Sequence, residues 1–282
     1  MSITTRIGII GSPVAHSLSP IIHNAALQSM NLNITYELWE TSEKDLSRRI
    51  SMLREPNIVG ANVTIPFKQK VIPFLDEIEG VAKNIGAVNT IVKRNGKLIG
   101  KNTDAEGFMV PLTAELRRVK LPIEKTQILL VGAGGASRAI AFALAQAGNN
   151  NITIANRTLE PAQTLSNALS TFKPNLNLHI ETSIPTLEKF NCIINATSVG
   201  MTGGPAPNQQ PCALVGINSK TLIVDIVYAP KETTFLKTAR SLGLPRLGGI
   251  PMLVHQAALS FEIWTGKEAP LNTMYAALEK VI

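Results

Sequence analysis

Two serines near the start of the chain have the type and spacing needed to bind an anion. Ser17 and Ser19 come just before Pro20, and proline is favoured at the first position of a helix. Hydroxyl groups beside a helix N-terminus can hold a carboxylate without a buried cation, because free N–H groups and the helix dipole supply positive charge. Ser19 is also a good N-cap, so a structural role competes with binding there. His16 is interpreted as structural, since no acidic residue beside it would orient a catalytic base.

A second group of polar residues follows a strand predicted at residues 58–63. Asn62 and Thr64 share one face of this extended segment, so two hydrogen-bonding side chains project together near the strand end. Pro66 predicts the start of a helix that carries Lys68 in its first turn. A cation there opposes the helix dipole, so Lys68 is placed against local stability. This placement favours a functional role over that of a solvated lysine.

A β-hairpin is predicted around Asn95 and Gly96, the preferred two-residue turn between two runs of strand-forming residues. The turn fixes the register, so we expect Asn89 opposite Asn102, with Asp104 diagonally across on the same side of the ribbon. Asp104 is therefore a candidate site residue. It could equally serve as the cap of the helix predicted from residue 105 onward.

The middle of the chain has the order of a dinucleotide-binding βαβ unit. Between residues 128 and 155, a buried strand is followed by a turn with Gly132 and Gly134, a helix that ends at Gly148, and a second strand. The glycines let the backbone approach a pyrophosphate, whose charge would lie on the free N–H groups of the helix. Ser137 stands where the dinucleotide fingerprint has its third glycine.

The residues after the second strand indicate which dinucleotide is bound. An NAD site usually has an acidic residue about 20 positions past the glycines, where it accepts hydrogen bonds from the ribose. This chain has Asn156, Arg157 and Thr158 there. A guanidinium can hold a 2′-phosphate through paired charge-assisted bonds, so the sequence predicts NADP(H) over NAD(H). The alternative is that Arg157 is a solvated loop cation.

Strands and helices alternate along the rest of the chain. In the first part we expect strands at residues 6–10, 34–39 and 58–63 and helices at residues 20–30 and 43–54. In the later part we expect strands at residues 176–180, 192–195 and 222–225, and a last helix region from Pro251. The predicted fold class is α/β with two α/β domains: an N-terminal domain with a mostly parallel sheet, and a Rossmann-like domain, with a cleft between them.

Composition narrows the functional class further. With 282 residues and 45% apolar content the chain can build two cores, and its net charge of +7 suits anionic ligands. Lys and Arg are scattered without a basic run, so a nucleic-acid partner is not expected. No apolar stretch or signal sequence indicates a membrane or export, and two cysteines, with Cys192 in an apolar run, fit a reducing cytoplasm.

Several of these segments together resemble the signature motifs of shikimate dehydrogenases. The matching motifs run in order over almost the whole chain: His16-Ser-Leu-Ser-Pro20, Asn62-Val-Thr-Ile-Pro-Phe-Lys68, Gly86-Ala-Val-Asn-Thr90, Asn102-Thr-Asp104, Gly132-Ala-Gly-Gly-Ala-Ser-Arg138, Asn156-Arg-Thr158, Asn195-Ala-Thr-Ser-Val-Gly-Met201, Asp225-Ile-Val-Tyr-Ala-Pro230 and Met252-Leu-Val-His-Gln256. One such motif is a weak signal, whereas nine in order are specific.

The resemblance implies an oxidoreductase that reversibly reduces 3-dehydroshikimate to shikimate with NADPH, within chorismate and aromatic amino acid biosynthesis. It implies Lys68 and Asp104 as the catalytic pair, with Lys68 either an acid/base or an electrostatic anchor. The implied substrate-binding residues are Ser17, Ser19, Asn62, Thr64, Asn89, Tyr228 and Gln256. The implied cofactor-binding residues are Gly132, Ala133, Gly134, Gly135, Ala136, Asn156, Arg157, Thr158, Thr197, Met201, Gly249 and Met252.

The same resemblance implies a discontinuous substrate domain of residues 1–104 plus 247–282 around an NADP-binding domain of residues 105–246. The expected partner is the small-molecule substrate, without nucleic acid, membrane or metal, in a monomer or homodimer.

Two departures from the family pattern bear on these expectations. Pro161 stands where many NADP-specific members have a second arginine, so the 2′-phosphate clamp is expected to be one-sided. Pro251 replaces a frequent glycine and is interpreted as a helix start. Two alternatives remain open: a dual quinate/shikimate dehydrogenase using NAD(P), against which Ser17 argues mildly, and a non-catalytic NADP(H)-sensing protein, which would lack Lys68 or Asp104.

Overall fold

The computed structural model describes residues 4–282, and their contacts divide them into two compact units. One consists of the described residues up to Gly107 together with Val254–Val281. The other consists of Phe108–Leu253 and the terminal Ile282. The first unit is therefore discontinuous in sequence. The crossings predicted after residues 104 and 246, and the binding role assigned to each domain, stay predictions.

The first unit contains six strands that form one mixed sheet. They are β1 (Thr5–Gly11), β2 (Ile34–Glu40), β3 (Ile58–Val63), β4 (Glu77–Ile78), β5 (Thr90–Arg94) and β6 (Lys97–Lys101). The order across the sheet is β2-β1-β3-β5-β6-β4. The pairs β1–β2, β1–β3 and β4–β6 are parallel, whereas β3–β5 and β5–β6 are antiparallel. The predicted βαβαβ order supplies the parallel half, and the hairpin supplies the antiparallel half.

Helices connect these strands. They are α1 (Ser19–Ser29), α2 (Leu46–Met52), α3 (Val81–Ile85) and α4 (Asp104–Arg118), the last of which continues into the second unit. The helix predicted at residues 43–54 is shorter than expected, because its first turn is a separate 3₁₀ segment at Glu43–Asp45.

Apolar side chains of the strands and of α2 pack together in a buried cluster. Ile10 of β1, Trp39 of β2 and Val63 of β3 belong to one buried cluster with Leu46 and Ile50 of α2. Fully burying such a side chain contributes about 1.5–3 kcal/mol each to the free energy of unfolding. The cluster therefore fixes β3, whose end leads directly into the predicted site segment.

The hairpin forms as predicted. Asn95 and Gly96 both have positive φ, at 52° and 76°, which is the conformation that a type I′ turn requires. The register pairs Thr90 with Lys101 and Arg94 with Lys97. Because β5 and β6 are antiparallel, the residues just before β5 and those just after β6 lie at the same end of the hairpin.

The helix predicted at Pro66 does not form, and that prediction was wrong. Residues 66–71 adopt turns instead. The backbone carbonyl of Lys68 accepts a hydrogen bond from Val88 N–H at 2.7 Å, and Phe67 is buried in the core. Because packing and a partner distant in sequence determine this segment, the argument from the helix dipole does not apply to Lys68.

The second unit is a parallel α/β sheet. Its strands are β7 (Ile128–Val131), β8 (Asn151–Ala155), β9 (Asn177–Glu181), β10 (Cys192–Asn195), β11 (Leu222–Asp225) and β12 (Arg246–Leu247), in the order β12-β11-β10-β7-β8-β9. All five neighbouring pairs are parallel. The connecting helices include α5 (Gly135–Gln146), α6 (Leu159–Phe172) and α7 (Thr234–Ser241). The Rossmann-like prediction is confirmed.

The chain then returns to the first unit. Helix α8 (Ile250–Thr265) begins in the second unit and ends in the first, and α9 (Leu271–Glu279) follows it. Within residues 4–282, no helix is both long enough and apolar enough to span a lipid bilayer. Cys192 and Cys212 are buried, and burial raises the pKa of each thiol to about 12, so neither is a reactive thiolate at neutral pH.

Candidate active site

Lys68 and Asp104, from separate segments of the first unit, form an ion pair. Lys68 Nζ donates to Asp104 Oδ2 at 2.6 Å. The two side chains are 16% and 7% exposed, so the pair is largely shielded from water. A shielded charge needs its partner, because removing one member leaves the other buried and uncompensated. The two side chains expected to act as a pair therefore point toward each other.

The β-sheet explains why these two residues meet. Lys68 lies in the turns that follow β3, and Asp104 starts α4 just after β6. The strands β3 and β6 lie on either side of β5, so both segments leave the same region of the sheet. Asn102 caps the first turn of α4 in place of Asp104, because its Oδ1 accepts a hydrogen bond from Ala105 N–H at 3.3 Å. The Asp104 carboxylate is thus engaged by side chains rather than in capping.

Asn89 holds the other oxygen of Asp104. Its Nδ2 donates to Asp104 Oδ1 at 2.9 Å, in agreement with the register predicted from the hairpin. The same Nδ2 also donates to Thr103 Oγ1 at 2.9 Å. Asn89 is buried, so its amide orients the carboxylate without competition from water.

Asn62 is buried beside this pair and is held by a tyrosine that the sequence did not single out. Tyr36 Oη donates to Asn62 Oδ1 at 2.7 Å, and Asn62 Nδ2 donates to the backbone oxygen of Asn89 at 3.0 Å. Thr64, two residues further along, is half-buried and lies just beyond the end of β3. The two residues predicted to bind hydroxyl groups therefore lie at the end of the same strand, and buried hydrogen bonds hold the Asn62 side chain in place.

Ser17 and Ser19 lie at the start of α1, and the N-cap role considered for Ser19 is not the one that it has in the structure. Helix α1 begins at Ser19 with Leu18 as the N-cap residue, and Ser17 Oγ accepts from Ser19 N–H at 3.3 Å. Ser19 is therefore not the N-cap. Its hydroxyl instead bonds to the buried Tyr36 phenol, which partly offsets the increase in the Tyr36 pKa caused by burial. His16 is exposed.

Gln256 lies on α8 where this helix touches α4. A methyl group added at Gly107 would come within 2.6 Å of the Gln256 backbone nitrogen, so the two helices are in close contact at this point. Gln256 is half-buried, and its backbone oxygen accepts from Ser260 Oγ at 3.0 Å. Because Gly107 has no side chain, α8 can approach α4 closely at Gln256.

Tyr228, the remaining predicted substrate residue, belongs to the second unit. It follows β11 and is half-buried, and burial raises the pKa of its phenol. A phenol with a raised pKa remains a hydrogen-bond donor at neutral pH.

The predicted pyrophosphate turn lies between β7 and α5. Gly132 has φ of 109°, a conformation that favours glycine, and its N–H donates to Ala155 O at 2.8 Å. A methyl group added at Gly134 would have no neighbour within 4 Å, so the surface beside the first turn of α5 is open. Ser137, in place of the third glycine, is buried and donates to Ala196 O at 3.3 Å. Ala133 lies in the same turn, and Gly135 and Ala136 begin α5; all three are partly exposed.

The segment after β8 fits a 2′-phosphate better than a ribose diol. Asn156 Nδ2 donates to the backbone oxygen of Thr158 at 2.7 Å, which stiffens the turn. Arg157 between them is exposed, and no acidic side chain occurs from residue 156 to residue 159. These residues therefore fit NADP(H): an available guanidinium is present and the carboxylate typical of NAD sites is absent.

A network of buried polar groups shapes the loop that carries Thr197 and Met201. Asn195 Oδ1 accepts from Thr197 N–H at 3.1 Å and Thr197 Oγ1 at 2.6 Å, while Asn195 Nδ2 donates to Asp225 Oδ1 at 2.9 Å. Asp225 also accepts from Val227 N–H and from Thr233 Oγ1. Burial nevertheless raises the Asp225 pKa to about 6.

Gly249 and Met252, predicted to contact the cofactor, lie at the start of α8. Gly249 is buried against Ile226, whose carbonyl oxygen would be 2.2 Å from an added methyl group. Met252 is 9% exposed. The backbone at Gly249 therefore lies in close contact with the backbone at Ile226, just after β11.

Buried polar groups that the sequence did not single out support the first-unit site. Tyr36 and Ser260 were not predicted at all, and Thr90 and Thr103 appeared only within motifs. The signal for Thr90 and Thr103 was present, because both adjoin predicted site residues. Ser260 lies some 200 residues from Asn62, so no local pattern would have found it.

Similarity to known proteins agrees with this geometry. The chain matches the family model of the shikimate dehydrogenase substrate binding domain over residues 9–91, that of shikimate/quinate 5-dehydrogenase over residues 115–229, and that of the shikimate 5′-dehydrogenase C-terminal domain over residues 249–279. The shikimate dehydrogenase (NADP(+)) of Methanococcus maripaludis is 42% identical over 99% of this chain and 98% of that protein. The chain belongs to the shikimate dehydrogenase family. The resemblance predicted from the motifs is confirmed.

Solved structures of the family agree over the full length. A shikimate dehydrogenase crystallised with NADP+ has a TM-score of 0.90 and 38% identity, covering 99% of this chain and 96% of that one. The Thermus thermophilus enzyme in complex with NADP(H) and shikimate has a TM-score of 0.84 and 36% identity, covering 99% and 100%. The predicted two-domain α/β fold class is therefore the fold of this family.

Proposed function

We propose that this member of the shikimate dehydrogenase family interconverts 3-dehydroshikimate and shikimate with NADP(H). The observation that carries the proposal is the shielded Lys68–Asp104 ion pair with Asn89 bonded to its second carboxylate oxygen. The names of the relatives, shikimate dehydrogenase (NADP(+)), support the same activity and cofactor. Bound NADPH would supply the hydride to the ketone carbon.

Lys68 has the chemistry needed at the oxygen of that ketone. Addition of hydride to a carbonyl carbon builds negative charge on the oxygen, and an ammonium group aimed there stabilises the transition state. An ammonium has three N–H donors, and the structure engages one of them with Asp104. The others can donate to the oxygen and deliver the proton that completes the alcohol, and in the oxidation direction the amine receives it.

Asp104 orients the ammonium and can also accept from the neighbouring ring hydroxyl. Its Oδ2 fixes Lys68 Nζ, and Asn89 fixes its Oδ1. A carboxylate oxygen has more than one lone-pair site, so Oδ2 can accept a second hydrogen bond. We assign Asn62, Thr64 and Gln256 to the other ring hydroxyls, and Ser17 and Ser19 to the carboxylate at the start of α1.

The cofactor preference rests on the segment after β8. Arg157 is exposed beside the neutral Asn156, so its guanidinium can pair with a 2′-phosphate. Pro161 lies in the first turn of α6, at the position where many NADP-specific members of the family have a second arginine. The clamp is therefore one-sided, and we expect the preference for NADP(H) over NAD(H) to be smaller than with two arginines.

Quinate is a second candidate substrate, because one of the matching family models covers shikimate and quinate 5-dehydrogenases. A quinate dehydrogenase structure with NAD has a TM-score of 0.88 at 29% identity. Assays with quinate and NAD+ measure this activity directly. A non-catalytic NADP(H)-sensing role is disfavoured, because Lys68 and Asp104 are both present and bonded to each other.

The test is Lys68→Met beside a matched control, Lys70→Met. Lys70 lies two residues away but is exposed and pairs with Glu43 at the surface. Following NADPH absorbance with 3-dehydroshikimate, we expect Lys68→Met to lower kcat by about 10²–10⁴-fold with a small change in KM, the usual range for a proton-transfer group. Lys70→Met should retain wild-type kcat. A raised KM with unchanged kcat in Lys68→Met would remove the catalytic role, and an inactive wild type would refute the activity.

A further inference from the structure

Three buried hydroxyl groups from three distant parts of the first unit meet beside Asn89. Thr90 Oγ1 lies 2.8 Å from Ser260 Oγ, and Thr103 Oγ1 lies 3.1 Å from the same atom. Thr90 and Ser260 are 0% exposed and Thr103 is 3% exposed. Burying hydroxyl groups is unfavourable unless they bond, so a cluster of this kind indicates a specific structural task.

The cluster acts on the oxygen of the Asn89 amide. Thr90 Oγ1 donates to Asn89 Oδ1 at 3.0 Å, and Thr103 N–H donates to the same oxygen at 2.8 Å. Ser260 supports this arrangement from α8, because its Oγ can donate to Thr90 Oγ1 and so leave the single hydroxyl hydrogen of Thr90 for Asn89 Oδ1. Two donors therefore converge on one face of the Asn89 side chain.

These donors decide which way the Asn89 amide faces. With Oδ1 held by Thr90 and Thr103, Nδ2 faces Asp104 Oδ1 at 2.9 Å. Rotating the amide by half a turn would bring its oxygen against the carboxylate and its NH₂ group against the Thr103 N–H. Both contacts would be repulsive, and Thr90 Oγ1, which already accepts from Asn62 Nδ2 at 3.2 Å, would lose its acceptor and face a second NH₂ group. The Thr90 hydroxyl group therefore adds to the preference for the productive orientation.

We propose that Thr90 is a positioning residue for the reaction: its buried hydroxyl holds the Asn89 amide so that it donates to Asp104 Oδ1, which keeps Oδ2 directed at Lys68 Nζ. The inference rests on the proposed function, because it assigns the Lys68–Asp104 pair to catalysis. Thr90 itself does not contact the reacting atoms.

The side chain of Thr90 offers a matched pair of substitutions. Thr90→Val keeps the branched shape that suits β5 and removes only the hydroxyl group. Thr90→Ser keeps the hydroxyl group and removes the methyl group. A role in packing predicts that Val is tolerated and Ser is not, whereas a positioning role predicts the reverse.

The experiment measures kcat and KM for shikimate with NADP+ in both variants, alone and combined with Asp104→Asn. We expect Thr90→Val to lower kcat about five- to tenfold, the value of one neutral hydrogen bond, with a smaller change in KM. Thr90→Ser should keep at least half of the wild-type kcat. In the Asp104→Asn background, Thr90→Val should change the residual kcat less than twofold, because the group through which it acts is already altered.

Wild-type kcat in Thr90→Val would overturn the inference while leaving the proposed function intact. An equal loss in Thr90→Ser, or an equal fold loss in the Asp104→Asn background, would also overturn it, because either result indicates a general effect on the fold. If Thr90→Val does not fold in thermal denaturation, Ser260→Ala removes the hydroxyl group that holds Thr90, and the same cycle decides. A wild type without NADP-dependent shikimate oxidation would refute the proposed function and the inference together.

Discussion

Asp225 is a buried carboxyl group whose ionisation should make the stability of the second unit depend on pH. It is 0% exposed, and its hydrogen-bond partners Asn195, Val227 and Thr233 carry no positive charge. Burial raises its pKa from an ordinary 3.8 to about 6, even though all three hydrogen bonds oppose this shift. The folded state therefore binds the Asp225 proton more tightly than the unfolded chain does.

The sign and size of the effect follow by linkage. Because the folded pKa is raised, the contribution to stability is fully present below the unfolded pKa and is lost as the pH rises through the folded pKa. A shift of about two pKa units corresponds to about 3 kcal/mol over the whole range. Between about pH 4.5 and about pH 7.5 the expected loss is about 2 kcal/mol, since ionisation of the unfolded chain has already begun at the lower pH.

The substitution Asp225→Asn removes this titration and keeps most of the geometry. The amide oxygen can accept from Asn195 and Val227, and the amide nitrogen can donate to Thr233 Oγ1, so any cost should be nearly independent of pH. Urea denaturation followed by circular dichroism at several pH values measures the difference in unfolding free energy between variant and wild type. That difference should shift in favour of the variant by about 2 kcal/mol from about pH 4.5 to about pH 7.5.

Asp76 is a suitable control, because its pKa shift has the opposite sign. It is a surface residue, and Arg54 lowers the pKa of its carboxyl group. The stability that it contributes is present above the unfolded pKa and is lost as the pH falls through the folded pKa. The difference between Asp76→Asn and wild type should therefore be nearly constant from about pH 4.5 to about pH 7.5 and change only below about pH 4, in the direction opposite to that of Asp225→Asn. A pH-independent difference between Asp225→Asn and wild type would refute the reasoning, since it would mean that Asp225 titrates alike in the folded and unfolded states.

Two further predictions test the cofactor segment and the contact between two helices. Arg157→Ala should raise KM for NADP+ about tenfold or more, the value of charge-assisted bonds to a phosphate, and leave KM for NAD+ nearly unchanged; equal changes for both would show that Arg157 is only a solvated cation. Gly107→Ala should lower the unfolding free energy by about 1–3 kcal/mol, because the added methyl group would come within 2.6 Å of the Gln256 backbone. Gly248→Ala, with 3.4 Å to the nearest atom, should be nearly neutral in denaturation experiments, and equal effects of the two alanines would contradict the steric argument.

The sequence alone determined the features that depend on local spacing. The pair Asn95 and Gly96 determines the hairpin register, and this register is enough to place Asn89 beside Asp104. The βαβ unit was equally readable, because a run of apolar residues, a turn with Gly132 and Gly134, and Gly148 just past the end of the helix are local signals. Motif order over nearly the whole chain then gave the family and its fold.

Tertiary structure alone decided what distant residues do to one another. Pro66 looked like a helix start, but the burial of Phe67 and the bond from Val88 to the Lys68 carbonyl imposed turns instead. Ser19 looked like an N-cap, yet the helix begins at that residue and its hydroxyl bonds to Tyr36. Hydrogen bonds and packing between segments far apart in sequence have energies comparable to local propensities, so they override a local preference wherever the two conflict. The hydroxyl cluster that brings Ser260 to Thr90 has no local signature, because it exists only when α8 packs on the sheet.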